Sequence, residues 1–153
     1  MGYTNLDIQG NLLGNVTGNT SGVHVQTSGT PIVGDRFEVT YPQIAAADVA
    51  KTFYIANQAC KIISARERHV TVAGQAGVLN VEKLTTGQAP AAGAVTLTTG
   101  WDLTSTANTP VSIATLGTAA ATLAAGDALC LKLTSGAATS YALGTITLLM
   151  EYV

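Results

Sequence analysis

Leu129, Leu131 and Leu133 occupy alternate positions of one segment, and Ile146, Leu148 and Met150 do the same in another. A period of two places side chains on one face of a strand, and no 3.6-residue apolar period runs long enough to compete with it. Shorter stretches recur at intervals of roughly 8 to 15 residues: Phe37–Tyr41, Phe53–Ala56, Cys60–Val72, Val78–Thr85, Ala94–Thr98, Trp101–Leu103 and Val111–Leu116. Gly, Pro, Asn and Asp punctuate them, with Pro42 expected to close the first. The 23 threonines favour pleated strands over helices. Only Ile44–Lys51 is a candidate for a turn or two of helix. This pattern predicts an all-β chain, an antiparallel β-sandwich or jelly roll.

Two details qualify the strands. In Cys60–Val72 neither alternate face is cleanly apolar: Ile62, Ser64, Arg66, Arg68 and Val70 share one, and Ile63, Ala65, Glu67 and His69 the other. A bend or bulge near Ser64–Arg66 is expected. Ala76–Gly87 and Ala125–Gly136 echo one another, but the apolar phases of Leu79 and Val81 and of Leu129 and Leu131 disagree. That argues against a structural repeat and for two hairpin strands with similar turn chemistry.

Residues 1–33 depart from the strand pattern. They are rich in Gly, Asn and Thr, with Gly10, Gly14, Gly18 and Gly22 at every fourth position among polar neighbours. Glycines penalise helix, and too few contiguous apolar residues are present for the segment to bury itself. The expectation is an extended N-terminal arm over 1–33, at most about 100 Å long, ahead of a β-sandwich domain over 34–153. Leu6, Ile8, Leu12, Leu13 and Val16 are its candidate contacts, because an arm with apolar side chains orders against a partner.

Charge is scarce: 10% of residues, with a formal net charge of −2, against about 25% in a typical soluble domain. No basic stripe is present to replace phosphate counterions, so nucleic acid is not an expected partner. No apolar run approaches the roughly 20 residues of a membrane span, and the N-terminus lacks a signal-peptide core. His24 and His69 lie far apart and outside any zinc-like spacing with cysteine, and each reads as a lone exposed or half-buried histidine. No nucleophile elbow, phosphate loop or zinc-protease motif is found. No catalytic residue, metal or cofactor is therefore expected.

The remaining polar residues read mostly as local structure. Asp7, Asp102 and Asp127 sit where Asp caps turn amides, and Asp35 and Glu38 flank a strand start beside Arg36. Cys60 and Cys130, in apolar segments, read as small buried thiols, with a disulfide as the alternative. Trp101 is a core or interface anchor. The densest charge is Arg66-Glu67-Arg68-His69, with Lys61 nearby. It is either a solvated strand face or edge, or a polar contact surface on a partner subunit built from Arg66, Glu67 and Arg68.

One set of segments carries a resemblance. They are Asp48-Val49-Ala50-Lys51-Thr52-Phe53-Tyr54-Ile55-Ala56, Ser64-Ala65-Arg66-Glu67-Arg68-His69, Ala73-Gly74-Gln75-Ala76-Gly77 and Val81-Glu82-Lys83-Leu84-Thr85. Gln88-Ala89-Pro90, Leu103-Thr104-Ser105-Thr106-Ala107-Asn108-Thr109 and Leu123-Ala124-Ala125-Gly126-Asp127-Ala128-Leu129 continue it. The pattern resembles a family of small virion proteins of tailed bacteriophages, the capsid cement (decoration) proteins, over roughly residues 45–153; the arm is not part of it. The resemblance implies a β-sandwich or jelly roll, a homotrimer on the outer surface of the head, and the phage major capsid protein as partner. It also implies a non-enzymatic structural role in the virion, assembled in the bacterial host cytoplasm. A receptor- or glycan-binding module of a tail fibre or baseplate is the alternative, though eight aromatic residues in all are few for sugar platforms.

Overall fold

A computed structural model describes residues 33–44, 50–113, 116–117, 119, 121–136, 142 and 144–153. The arm, with Leu6, Ile8, Leu12, Leu13, Val16 and His24, lies outside the described residues, as do Asp7 and residues 45–49 of the helix candidate.

Among the described residues ten strands run β1 (Arg36–Ile44), β2 (Thr52–Ile55), β3 (Cys60–Arg68), β4 (Gly77–Leu84), β5 (Ala94–Val95), β6 (Trp101–Asp102), β7 (Val111–Ile113), β8 (Thr122–Leu123), β9 (Ala128–Gly136) and β10 (Gly144–Tyr152). One sheet has the order β1-β10-β3-β7, with β8 also on β3; the other has β2-β9-β4-β5, with β6 also on β4. Every pairing is antiparallel. The chain is all-β, two antiparallel sheets forming a sandwich, as the period-two pattern predicts. The pairs β1·β10, β2·β9, β3·β7 and β4·β5 nest inside one another, so the chain folds as one long hairpin laid alternately across the two sheets.

The core lies between the sheets. Ile146, Leu148 and Met150 supply it from one side and Leu79, Val81, Leu129 and Leu131 from the other, none more than 1% exposed. Trp101 is fully buried among them, its indole N–H donating to the Val111 carbonyl at 3.2 Å, so it is a core anchor. One flank is closed by aromatic residues that join β1 to β2 and β10: Tyr41 stacks on Phe53 and Phe37 on Tyr152.

Several expectations change in detail. The strand does not stop at Pro42 but runs to Ile44, with a register shift between the two. Among the described strands β1 is an edge, where a proline's missing N–H costs no ladder bond. Ile44 therefore belongs to a strand, not to a helical turn. At the other end of the expected Cys60–Val72 strand, β3 ends at Arg68; beyond it Thr71 makes an isolated antiparallel bridge to Ala142, and Val70 and Val72 are 40% exposed. The echoing segments are neither a repeat nor a hairpin. They become β4 and β9, adjacent and antiparallel, with Leu79 opposite Leu133 and Val81 opposite Leu131. Running one strand backwards, with a bulge beside Leu79, removes the phase conflict.

The bulge in β3 is real and sits slightly earlier than expected. Leu149 pairs with Ser64 and Met150 with Ile62, which leaves Ile63 as the extra residue. Cys60 and Ile62 face inward before it; Ala65, Glu67 and His69 are buried after it. One inserted residue thus explains why neither face of this strand looks apolar in sequence.

Candidate functional site

Downstream of that bulge the polar stretch divides by face. Arg66 and Arg68 point outward over the β1-β10-β3-β7 sheet, beside Thr145 and Thr147 of β10. Glu38 of β1 and Pro110 complete a groove of about 470 Å³. A smaller recess of about 100 Å³, lined by Ser64 and Leu149, shares Glu38, Arg66 and Thr147 with it. Thr145 and Thr147 make the β10 side of the groove neutral, and the Thr147 hydroxyl lies 3.4 Å from that of Thr40 on β1. The Arg68 guanidinium is held by Asn108, through Nη2 to the side-chain oxygen at 3.0 Å and Nε to the backbone carbonyl at 3.3 Å. Asn108 sits at a φ of 62°, a left-handed conformation that Asn tolerates.

Glu67 and His69 correct the sequence reading. Glu67 is 1% exposed and cannot offer its carboxylate to a partner, and His69 is fully buried rather than exposed or half-buried. The His69 Nδ1 lies 3.0 and 3.2 Å from the Glu67 carboxylate oxygens, and Nε2 lies 3.1 Å from the Ser105 carbonyl. A carbonyl only accepts, so Nε2 carries a proton and donates. The pair thereby ties β3 to the loop after β6.

Most other described charges also have partners within the fold. Arg36 and Lys61 share Glu151, at 3.0 and 2.7 Å. Lys83 donates to the Thr122 carbonyl and Lys132 to that of Gly93, while Lys51 and Asp35 are engaged as well. The Asp102 carboxylate accepts from the Thr104 amide and hydroxyl, and Asp127 from the Ala124 amide, the turn-capping expected of them. Buried Glu82 accepts from the amides of Ala91 and Gly93, and buried Asn80 bonds both backbone groups of Leu97. Neither stood out in the sequence, because each lies in an ordinary strand and its loop partner is 9 to 17 residues away. Arg66 and Glu38 are the exceptions. Among the described residues they are the two charged side chains without a hydrogen bond or ion pair, and both line the groove.

Acid stability follows from two of these carboxylates. The Lys61 ammonium, then the Arg36 guanidinium, hold Glu151 below the usual carboxylate range, and the Thr104 hydroxyl and amide do the same for Asp102. Each has a lower pKa folded than unfolded, so its stabilisation is present above about pH 4 and is lost as pH falls through the folded value. A carbon-detected NMR titration should place the Glu151 midpoint below that of a free glutamate; a midpoint at or above it refutes the pairing.

Cys60 and Cys130 are free thiols, both fully buried. Burial, with the Glu82 carboxylate adding to it, pushes Cys130 up to about 12; burial raises Cys60 too. Both stay protonated in the folded chain where an unfolded thiol ionises, so stability falls as pH rises beyond about 8.5. Iodoacetamide at pH 8 should leave the native chain unmodified and alkylate both cysteines in guanidinium. Native labelling at the rate of a free thiol contradicts this.

Among the described residues, no three His, Cys, Asp or Glu side chains are grouped to hold a metal ion. No family model, no curated protein and no solved structure matches the chain.

Proposed function

We propose that this chain is a non-enzymatic structural virion protein, a capsid cement protein that binds the outside of a tailed-phage head as a homotrimer and stabilises contacts between major capsid subunits. In this reading the nested strand order is a jelly roll. The observation that carries it, beside the segments resembling that family, is how the ionisable groups are used. Glu82, Asp102 and the Glu67–His69 pair each fasten a loop to a strand, and Asp127 caps the turn between β8 and β9, which suits a rigid building block. The outward groove with Arg66 and Arg68 supplies a polar contact surface.

The alternative, a receptor- or glycan-binding module of a tail fibre or baseplate, is less well served. Phe37, Tyr41, Phe53 and Tyr152 stack together at the sandwich flank, and none of the residues lining the groove is aromatic.

Quantitative mass spectrometry of purified virions decides between these readings. A copy number near one per major capsid protein is expected; a few copies to a few tens per particle would move the protein to the tail. Deleting residues 1–20 should abolish attachment to heads while the sandwich keeps its unfolding temperature. Wild-type occupancy by the truncated chain would remove Leu6, Ile8, Leu12, Leu13 and Val16 as anchors.

A further inference from the structure

We infer that the groove across β1, β10 and β3 is a contact between copies of this chain, in which Arg66 of each protomer pairs with Glu38 of a neighbouring copy. The inference deepens the self-association named above and rests on it for the claim that copies associate.

The two unpartnered charges have opposite signs and line one groove, yet they do not pair with each other. The register explains why. Arg66 lies opposite Thr147, whereas Glu38 lies opposite Leu149, on the far side of β10. Two strand spacings, about 9 to 10 Å, and an offset along the strands keep them apart. The strand order fixes these charges on opposite walls of a groove with a hydroxyl-bearing floor. Beside Arg66, the Asn108-held guanidinium of Arg68 makes the β3 wall positive, while Glu38 makes the β1 wall negative.

A surface with one wall of each sign complements itself. Repeated about a rotation axis, it brings the positive wall of one copy against the negative wall of the next, and each Arg66 meets one Glu38 while Arg68 stays on Asn108. Other occupants fit less well. A phosphate or nucleic acid drawn to Arg66 meets the Glu38 carboxylate, and a cation drawn to Glu38 meets two guanidinium groups. A second copy supplies both counter-charges by construction.

Sedimentation equilibrium of the full chain tests this. Arg66→Glu and Glu38→Arg each place like charges together and should weaken association about tenfold or more. The double variant Glu38→Arg/Arg66→Glu restores opposite signs and should return to within about threefold of wild type. Both side chains are exposed, so unchanged circular dichroism and unfolding temperature will show that the single variants are folded; Arg66→Gln, with intermediate weakening expected, is a milder second probe. The inference is overturned by a wild-type chain that stays monomeric, by folded single variants that associate normally, or by a double variant no better than the weaker single one. These outcomes are independent of copy number in virions. A high copy number with a silent charge swap removes this contact alone, whereas rescue by the swap with a low copy number removes the capsid reading alone.

Discussion

His69→Ala lowers the unfolding free energy by about 3–5 kcal/mol, because it leaves the Glu67 carboxylate buried without its cationic or proton-sharing partner. For a chain of this length that corresponds to a fall of about 10 °C in Tm. Glu67→Ala acts similarly, since the imidazole is fully buried and its Nδ1 faces the carboxylate oxygens. Neighbouring Arg66 is the control: it is exposed and has no partner within its own chain, so at concentrations where copies are dissociated Arg66→Ala should change stability by less than about 0.5 kcal/mol. Replacing both members by apolar residues, as in Glu67→Leu/His69→Phe, should recover much of the loss, because no unpartnered polar member of the pair then remains at this site. Thermal or urea unfolding of the four variants measures the contrast. A His69→Ala chain within 1 kcal/mol of wild type would mean that the pair contributes little.

Glu82→Ala should be comparably damaging, at about 3 kcal/mol or more, but by a different route. The carboxylate is fully buried and accepts from the Ala91 amide at 2.6 Å and the Gly93 amide at 2.9 Å, with the Lys132 ammonium 3.5 Å away. Its removal takes the acceptor from two backbone amides, that of Gly93 buried, and the counter-charge from the part-exposed Lys132 ammonium. The loop from Thr85 to Gly93 should loosen first. Amide exchange at Ala91 and Gly93 should accelerate far more than at Leu79 or Leu131, a signature of local opening. Loss of the adjacent negative charge should also make the Cys130 thiol more acidic, so alkylation of that residue near pH 9 provides a second readout. Uniform acceleration across the sandwich would point instead to global destabilisation.

What was legible in the sequence is what depends on near neighbours. Alternation identified Ile146, Leu148 and Met150 as core, and the turn-capping roles of Asp102 and Asp127 need only two or three residues of context. The bulge in β3 was legible as a conflict between faces, because a strand with charge on both sides must change phase somewhere. What escaped is what depends on strand order. Glu38 reads as one of two carboxylates at a strand start until β10 is seen between β1 and β3, which brings it to the groove of Arg66. His69 reads as a surface residue until the loop carrying Ser105 is laid over it. Glu67 sits between two exposed arginines, and only the inserted Ile63 turns its side chain inward.

The place of β10 has a consequence for how the chain reaches this state. The strand between β1 and β3 is formed by residues 144–152, so the first of these sheets cannot assemble until that segment is available. Roughly 75 residues separate Arg68 from Gly144, several seconds of synthesis at about 5–20 residues per second. During that interval the partners of β10 are exposed, with open backbone edges and the unsheltered Glu67–His69 pair. Pairings this distant in sequence place folding in the slow, millisecond-to-second class, and open edges are the places where chains recruit one another. The interval in which nascent chains wait for their central strand is thus the one most open to association, and lower growth temperature or lower expression should raise soluble yield.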